Sequence, residues 1–149
     1  RLSRMARLRY AVTGFAFGPL GVLGMMRGVQ DLFKDCVRHP EKVKAGLEIV
    51  TEVLIAFVRA QLDAGVDGVM LDTLFASQSG VSRAMWEEME GPYARRIADE
   101  IRSCNALVTL HNCGHGPKCH LQREDTRPVA ITFAHMPDDC ASPAELKRK

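Results

Sequence analysis

The sequence predicts an α/β protein with helices covering a parallel sheet. Two observations carry that prediction. Short runs that are apolar along nearly their whole length suit strands buried on both faces. They alternate with longer stretches of helical periodicity, in the order β, α, β, α, β, α, β, α.

Tyr10–Ala16 is rich in β-formers and reads as the first strand, running into a loop at Phe17-Gly18-Pro19. A helical patch follows around Gln30–Val37 and breaks at His39-Pro40. Pro40 suits a first helical position, and a long helix is expected from Glu41 to Ala64. Its apolar stripe is Val43, Leu47, Val50, Leu54, Phe57, Val58 and Leu62, with Gly65 as the cap residue. Asp67–Leu71 is the second strand, and the loop 72–82 is rich in Ser and Gly. The next helix spans about Arg83–Ser103, kinked or divided by Gly91-Pro92. Ala106–Leu110 is the third strand and delivers His111. A loop and short helix occupy Gly114–Asp125, and Val129–Phe133 is the fourth strand. Ser142-Pro143-Ala144-Glu145 is a capping box opening a last helix. Residue 1 is Arg, and only four residues follow Glu145. Both ends predict a single domain over 1–149, incomplete at each end. From the pattern alone, a doubly wound sheet and a barrel both fit.

Composition narrows the function classes. Hydrophobic residues make up 46% and charged residues 26%, which suits a packed core. The net charge is only +2, and the basic residues form no stripe with reading or stacking groups, so nucleic acid is not an expected partner. No apolar run reaches the roughly 20 residues that span a bilayer. The five cysteines are odd in number, and the chain needs no staples; reduced thiols and a cytoplasmic location are expected. No Gly-x-Gly-x-x-Gly motif follows a strand, and there is no P-loop.

The chemistry-bearing residues gather at strand ends. If strand geometry persists through Cys113, His111 and Cys113 point to one side. Imidazole and thiolate are good zinc ligands, and a catalytic zinc needs three protein ligands and an open position. The bland alternative is a packed cysteine beside a hydrogen-bonded histidine. Gly114 would let the chain turn away sharply. His115, Cys119, His120, His135 and Cys140 lie nearby, but their spacing does not match the paired Cys-x-x-Cys of structural zinc modules. Cys119 and His120 are expected on the short loop helix. Cys36 and Cys104 are expected to pack inside. Asp72 ends the second strand, where it could orient a substrate, accept a proton or cap a turn. Ser77, Gln78 and Ser79 share that ambiguity. Phe15 and Phe17 end the first strand, as pocket floor or core, and His135 and Asp138 follow the fourth. Met25, Met26, Met85 and Met89 read as core filler.

Gly14-Phe15-Ala16-Phe17-Gly18-Pro19-Leu20 resembles a motif of the uroporphyrinogen decarboxylase superfamily. So does the succession of a long helix, Ala64-Gly65-Val66-Asp67-Gly68, a Ser-rich loop and a helix containing Pro92-Tyr93. The resemblance runs from about Tyr10 to Glu145. It implies part of a (β/α)8 TIM barrel, about strands three to six of eight. One branch of the superfamily decarboxylates tetrapyrroles without metal, using an Asp on a loop this chain does not contain. The other branch comprises zinc-dependent methyltransferases that move a methyl group from a methylcorrinoid protein to a thiol such as coenzyme M. Leu110-His111-Asn112-Cys113-Gly114 is similar to that branch's His-x-Cys-Gly motif. The resemblance therefore implies zinc on His111 and Cys113, a third ligand outside this chain, and a corrinoid protein and a small thiol as partners. From their places at the strand ends and in the loops, and not from the resemblance, Asp72 is the candidate catalytic group and Phe15, Phe17, Ser77, Ser79 and His135 are candidate substrate contacts. A decarboxylase is the first alternative. A non-catalytic half-barrel is the second; it would need a complementary chain or a homo-oligomer to cover its open sheet edges.

Overall fold

The computed structural model describes residues 10–146 and 148. Its sheet has four parallel strands in sequence order: β1 (Thr13–Phe17), β2 (Gly68–Asp72), β3 (Leu107–Asn112) and β4 (Ala130–Phe133). The helices are α1 (Pro19–Arg27), α2 (Val29–Arg38), α3 (Pro40–Asp63), α4 (Arg83–Met89), α5 (Gly91–Ser103), α6 (Cys119–Thr126) and α7 (Pro143–Leu146). Consecutive parallel strands in spatial order, each followed by helix, are the βα units of a barrel wall rather than of a doubly wound sheet.

The helical stripe explains the packing of α3. Val43, Leu47, Val50, Leu54 and Val58 are buried. The latter three meet Ala16, Val69, Leu71, Ile97, Ile101, Val108 and Leu110 in the core behind the sheet. A second cluster around Leu20, Leu32, Leu47, Trp86 and Leu121 fills the space among the helices at the strand ends. Because side chains alternate along a strand, Val69 and Leu71 turn toward α3 and α5. Phe15, Phe17, Met70, Asp72, Thr109, His111 and Thr132 then line the opposite, concave face.

Several boundaries follow the predicted signals. α2 stops at Arg38 and α3 opens on Pro40. Gly91-Pro92 divides the predicted helix into α4 and α5. Gly65, just past the Ala64 cap, takes φ +96°, a conformation that favours glycine. The capping box forms with a shift: Ser142 Oγ accepts from the Glu145 amide at 3.3 Å, while Glu145 reaches the Ala141 amide at 2.9 Å.

Other expectations are corrected. The segment after β1, read as a loop, is a helix. Glu90, distant in sequence, accepts the Leu20 amide at 2.7 Å and so supplies the cap that local residues lack. The strands also run later than expected, with Phe17, Asp72 and His111 all inside the ladder. Phe57 is half exposed, since it falls on the outer flank of the α3 stripe. Met25 and Met26 are exposed on α1 rather than core filler, whereas Met89 is buried. Cys36 is buried as expected, but Cys104 is exposed where α5 ends. Among the described residues, no helix is long and apolar enough to cross a membrane.

Candidate functional site

One lateral row of residues defines the site. Phe17 pairs with Asp72, Asp72 with His111, and His111 with Thr132. All four sit at the C-terminal ends of their strands, the end at which barrel enzymes place their chemistry. Phe15 stands two residues below Phe17, and the rings meet edge to face with centroids 4.9 Å apart.

His111 is held through one nitrogen. Its Nδ1 lies 2.8 Å from Thr132 Oγ1, and that hydroxyl donates its only proton to the Leu110 carbonyl at 3.2 Å. Thr132 must therefore accept from His111 Nδ1–H. With the hydroxyl proton directed to the Leu110 carbonyl, the Nε2 lone pair is the coordinating atom, the pattern by which a second group orients a ligating histidine.

Cys113 is exposed and lies one residue past the end of β3. Strand alternation therefore positions His111 and only the loop positions Cys113. That loop is anchored by Asn112, which is completely buried. Its Nδ2 donates to the carbonyls of Thr73 (2.8 Å) and Ala76 (3.0 Å), and its Oδ1 accepts from the Gly114 amide (2.9 Å). Gly114 is required for space rather than for a special turn. A Cβ there would lie 2.6 Å from Ser77 Oγ and 3.1 Å from Asn112 Oδ1. The donor set His nitrogen plus exposed thiol fits zinc.

Asp72 is buried, and its Oδ1 has no hydrogen-bond partner. Burial raises its pKa, and the nearby His111 opposes that rise. Behind it stands Glu90, fully buried and pushed up to about 8 by desolvation; the Leu20 amide lowers it and Asp72 raises it further. Two carboxyl groups in one dry region cannot both ionise cheaply.

The remaining candidates divide between loops. Ser77 is buried, 3.2 Å from Ser79 Oγ, and forms an isolated bridge with Pro117. Ser77 thus clamps the β2 loop to the β3 loop, while Ser79 is exposed. His135 is exposed and stacks on His115 with ring centroids 3.8 Å apart. Asp138 pairs with Lys118 at 3.2 Å. Asn112, Thr132 and Glu90 brace the candidate site and were not singled out from the sequence. No local motif marks them, because each acts through a partner on another element.

Comparison with known proteins fits this arrangement. The family model described as uroporphyrinogen decarboxylase (URO-D) matches residues 1–147. The chain belongs to the uroporphyrinogen decarboxylase family. Over 100 residues it is 32% identical to a methylated-thiol–coenzyme M methyltransferase of Methanosarcina mazei, covering 67% of this chain and 26% of that protein. It is 24% identical over 104 residues to the methylcobamide:CoM methyltransferase MtbA of the same organism, covering 70% and 30%. A solved structure titled methyltransferase from Methanosarcina mazei superposes with a TM-score of 0.69 at 20% identity, covering 83% of this chain and 36% of that one. This likeness shows the fold, part of a TIM barrel. The chain spans about a quarter to a third of the length of the two methyltransferases it matches in sequence.

Proposed function

We propose that this chain is part of a zinc-dependent methyltransferase that moves a methyl group from a methylcorrinoid protein to a small thiol. The observation that carries the reading is the Thr132–His111 hydrogen bond, which presents His111 Nε2 on the concave face at the same strand end as Cys113. The coenzyme M methyltransferases among its relatives support the reaction class.

In this reading His111 and Cys113 hold the zinc, with a third protein ligand from a segment outside these residues. Bound zinc would keep a coordinated acceptor thiol deprotonated at neutral pH. Phe15 and Phe17 form an apolar wall that excludes water from the mouth. Asp72 orients the substrate or takes a proton, His135 contacts substrate from the loop after β4, and Ser77 and Ser79 shape the opposite loop. The corrinoid protein docks against the mouth.

The test is zinc content and methyl transfer in the full-length protein. His111→Ala and Cys113→Ala should each remove one equivalent of zinc and abolish transfer from methylcobamide to a thiol. Zinc content unchanged by both substitutions would refute the assignment. Turnover of uroporphyrinogen by metal-free full-length protein would support the decarboxylase instead.

A further inference from the structure

A second group of metal-type donors lies outside the mouth row, where the loops after β3 and β4 meet. Among the described residues, His120, Asp138 and Asp139 are the set of three whose candidate donor atoms all fall within 4.8 Å of one another. We propose that these three residues form a second cation site, of zinc class, which ties the β3 loop to the β4 loop.

The geometry between two of the donors points to an ion. His120 Nδ1 and Asp138 Oδ1 are 3.5 Å apart. That is long for a hydrogen bond. It is close to the separation of about 3.3 Å expected for two ligands each about 2.0–2.1 Å from one tetrahedral zinc. Both atoms are buried and neither has a hydrogen-bond partner. Buried polar atoms are nearly always satisfied, so two orphans facing each other leave room for a shared cation.

The carboxylate is also held as a ligand needs to be. Lys118 Nζ binds the other oxygen, Oδ2, at 3.2 Å, and the Asp138 amide donates to the Pro117 carbonyl at 3.1 Å. Metal-ligating carboxylates are characteristically fixed by such outer hydrogen bonds. The lysine offsets one of two negative charges, and Arg123 lines the same cavity, so the site depends on coordination rather than bulk charge. Hard cations such as Mg²⁺ and Ca²⁺ prefer oxygen-only shells. A histidine nitrogen, with Cys119 and Cys140 lining the adjoining cavity of about 160 Å³, favours zinc.

The site has a structural consequence. His120 is the second residue of α6, and Asp138 and Asp139 follow β4. An ion there would fix the β4 loop, including His135, relative to the loop that carries Cys113. Its role is positional and separate from the zinc on His111.

The experiment removes the first site and titrates zinc alone. Full-length His111→Ala/Cys113→Ala protein should still bind one equivalent of zinc, by calorimetry and by metal analysis after dialysis. Adding His120→Ala should abolish that equivalent, as should Asp139→Asn, an isosteric change at an exposed side chain, with the fold of each variant checked by circular dichroism. Zinc should raise the unfolding temperature of the double variant and not that of the triple variants. No uptake by the double variant would overturn the proposal and leave His120–Asp138 as a simple ion pair. Uptake that persists in the folded Asp139→Asn and His120→Ala proteins would overturn it equally.

Discussion

Asp72 and His111 are lateral neighbours, in register across β2 and β3, with both side chains on the concave face. The pair sets a buried carboxyl, whose Oδ1 has no hydrogen-bond partner, beside the proposed metal-binding imidazole. Asp72→Asn keeps the shape and removes the charge. If Asp72 handles a proton, kcat should fall by about 10²–10⁴-fold. Zinc content should stay the same, which separates a catalytic role from a ligand role. Parallel turnover and metal assays on the full-length protein make the distinction.

Thr132 sets the tautomer of His111, so its hydroxyl should matter to metal affinity. Thr132→Val preserves β-branching and strand packing. Loss of such an outer partner costs about 10–100-fold in metal affinity or activity. Competition with a chromophoric chelator would read the shift, and unchanged affinity would mean that Thr132 only packs.

Asn112 joins β3 to the loop after β2. Asn112→Ala would strand the Gly114 amide, while the Thr73 and Ala76 carbonyls each lose one donor and keep the backbone amides of Ala76 and Lys118. Each stranded group costs about 1–3 kcal/mol. A destabilisation of about 1–3 kcal/mol is expected in chemical denaturation, from the one stranded amide. Asn112→Asp retains the acceptor for Gly114 but turns a buried carboxylate oxygen toward both carbonyls, and should destabilise at least as much as the alanine.

Glu90 gives a pH signature. Its pKa is pushed from an ordinary 4.5 to about 8 by burial. Between those values the folded chain keeps a proton that the unfolded chain has released. Stability therefore falls as pH rises from about 4.5 to about 8, and this contribution levels off above the folded pKa. Glu90→Gln keeps an acceptor for the Leu20 amide and cannot ionise. Denaturation curves across that range should be flatter for the variant, and at pH 9 the variant should be the more stable protein.

The alternation of strands and helices was legible because burial on both faces leaves continuous apolar runs. The α3 stripe and the Gly91-Pro92 division were legible because helical periodicity and proline geometry are local. The place of His111 at a strand end was legible for the same reason, whereas Cys113 lies past β3 and is positioned by its loop. α1 was not legible: its cap is Glu90, seventy positions away, and Gly18, Gly21 and Gly24 weaken its local signal.

The sequence by itself determined the alternation of strands and helices, which faces of the long helix are apolar, and that Asp72 and His111 lie at strand ends. Tertiary structure alone decided what those side chains meet. The register that sets Thr132 beside His111, and the fold that buries Asn112 between two loops, rest on contacts between distant segments. So does the approach of His120 to Asp138. Such pairings follow from how sheet and helices close on a shared core, and no short-range pattern encodes them.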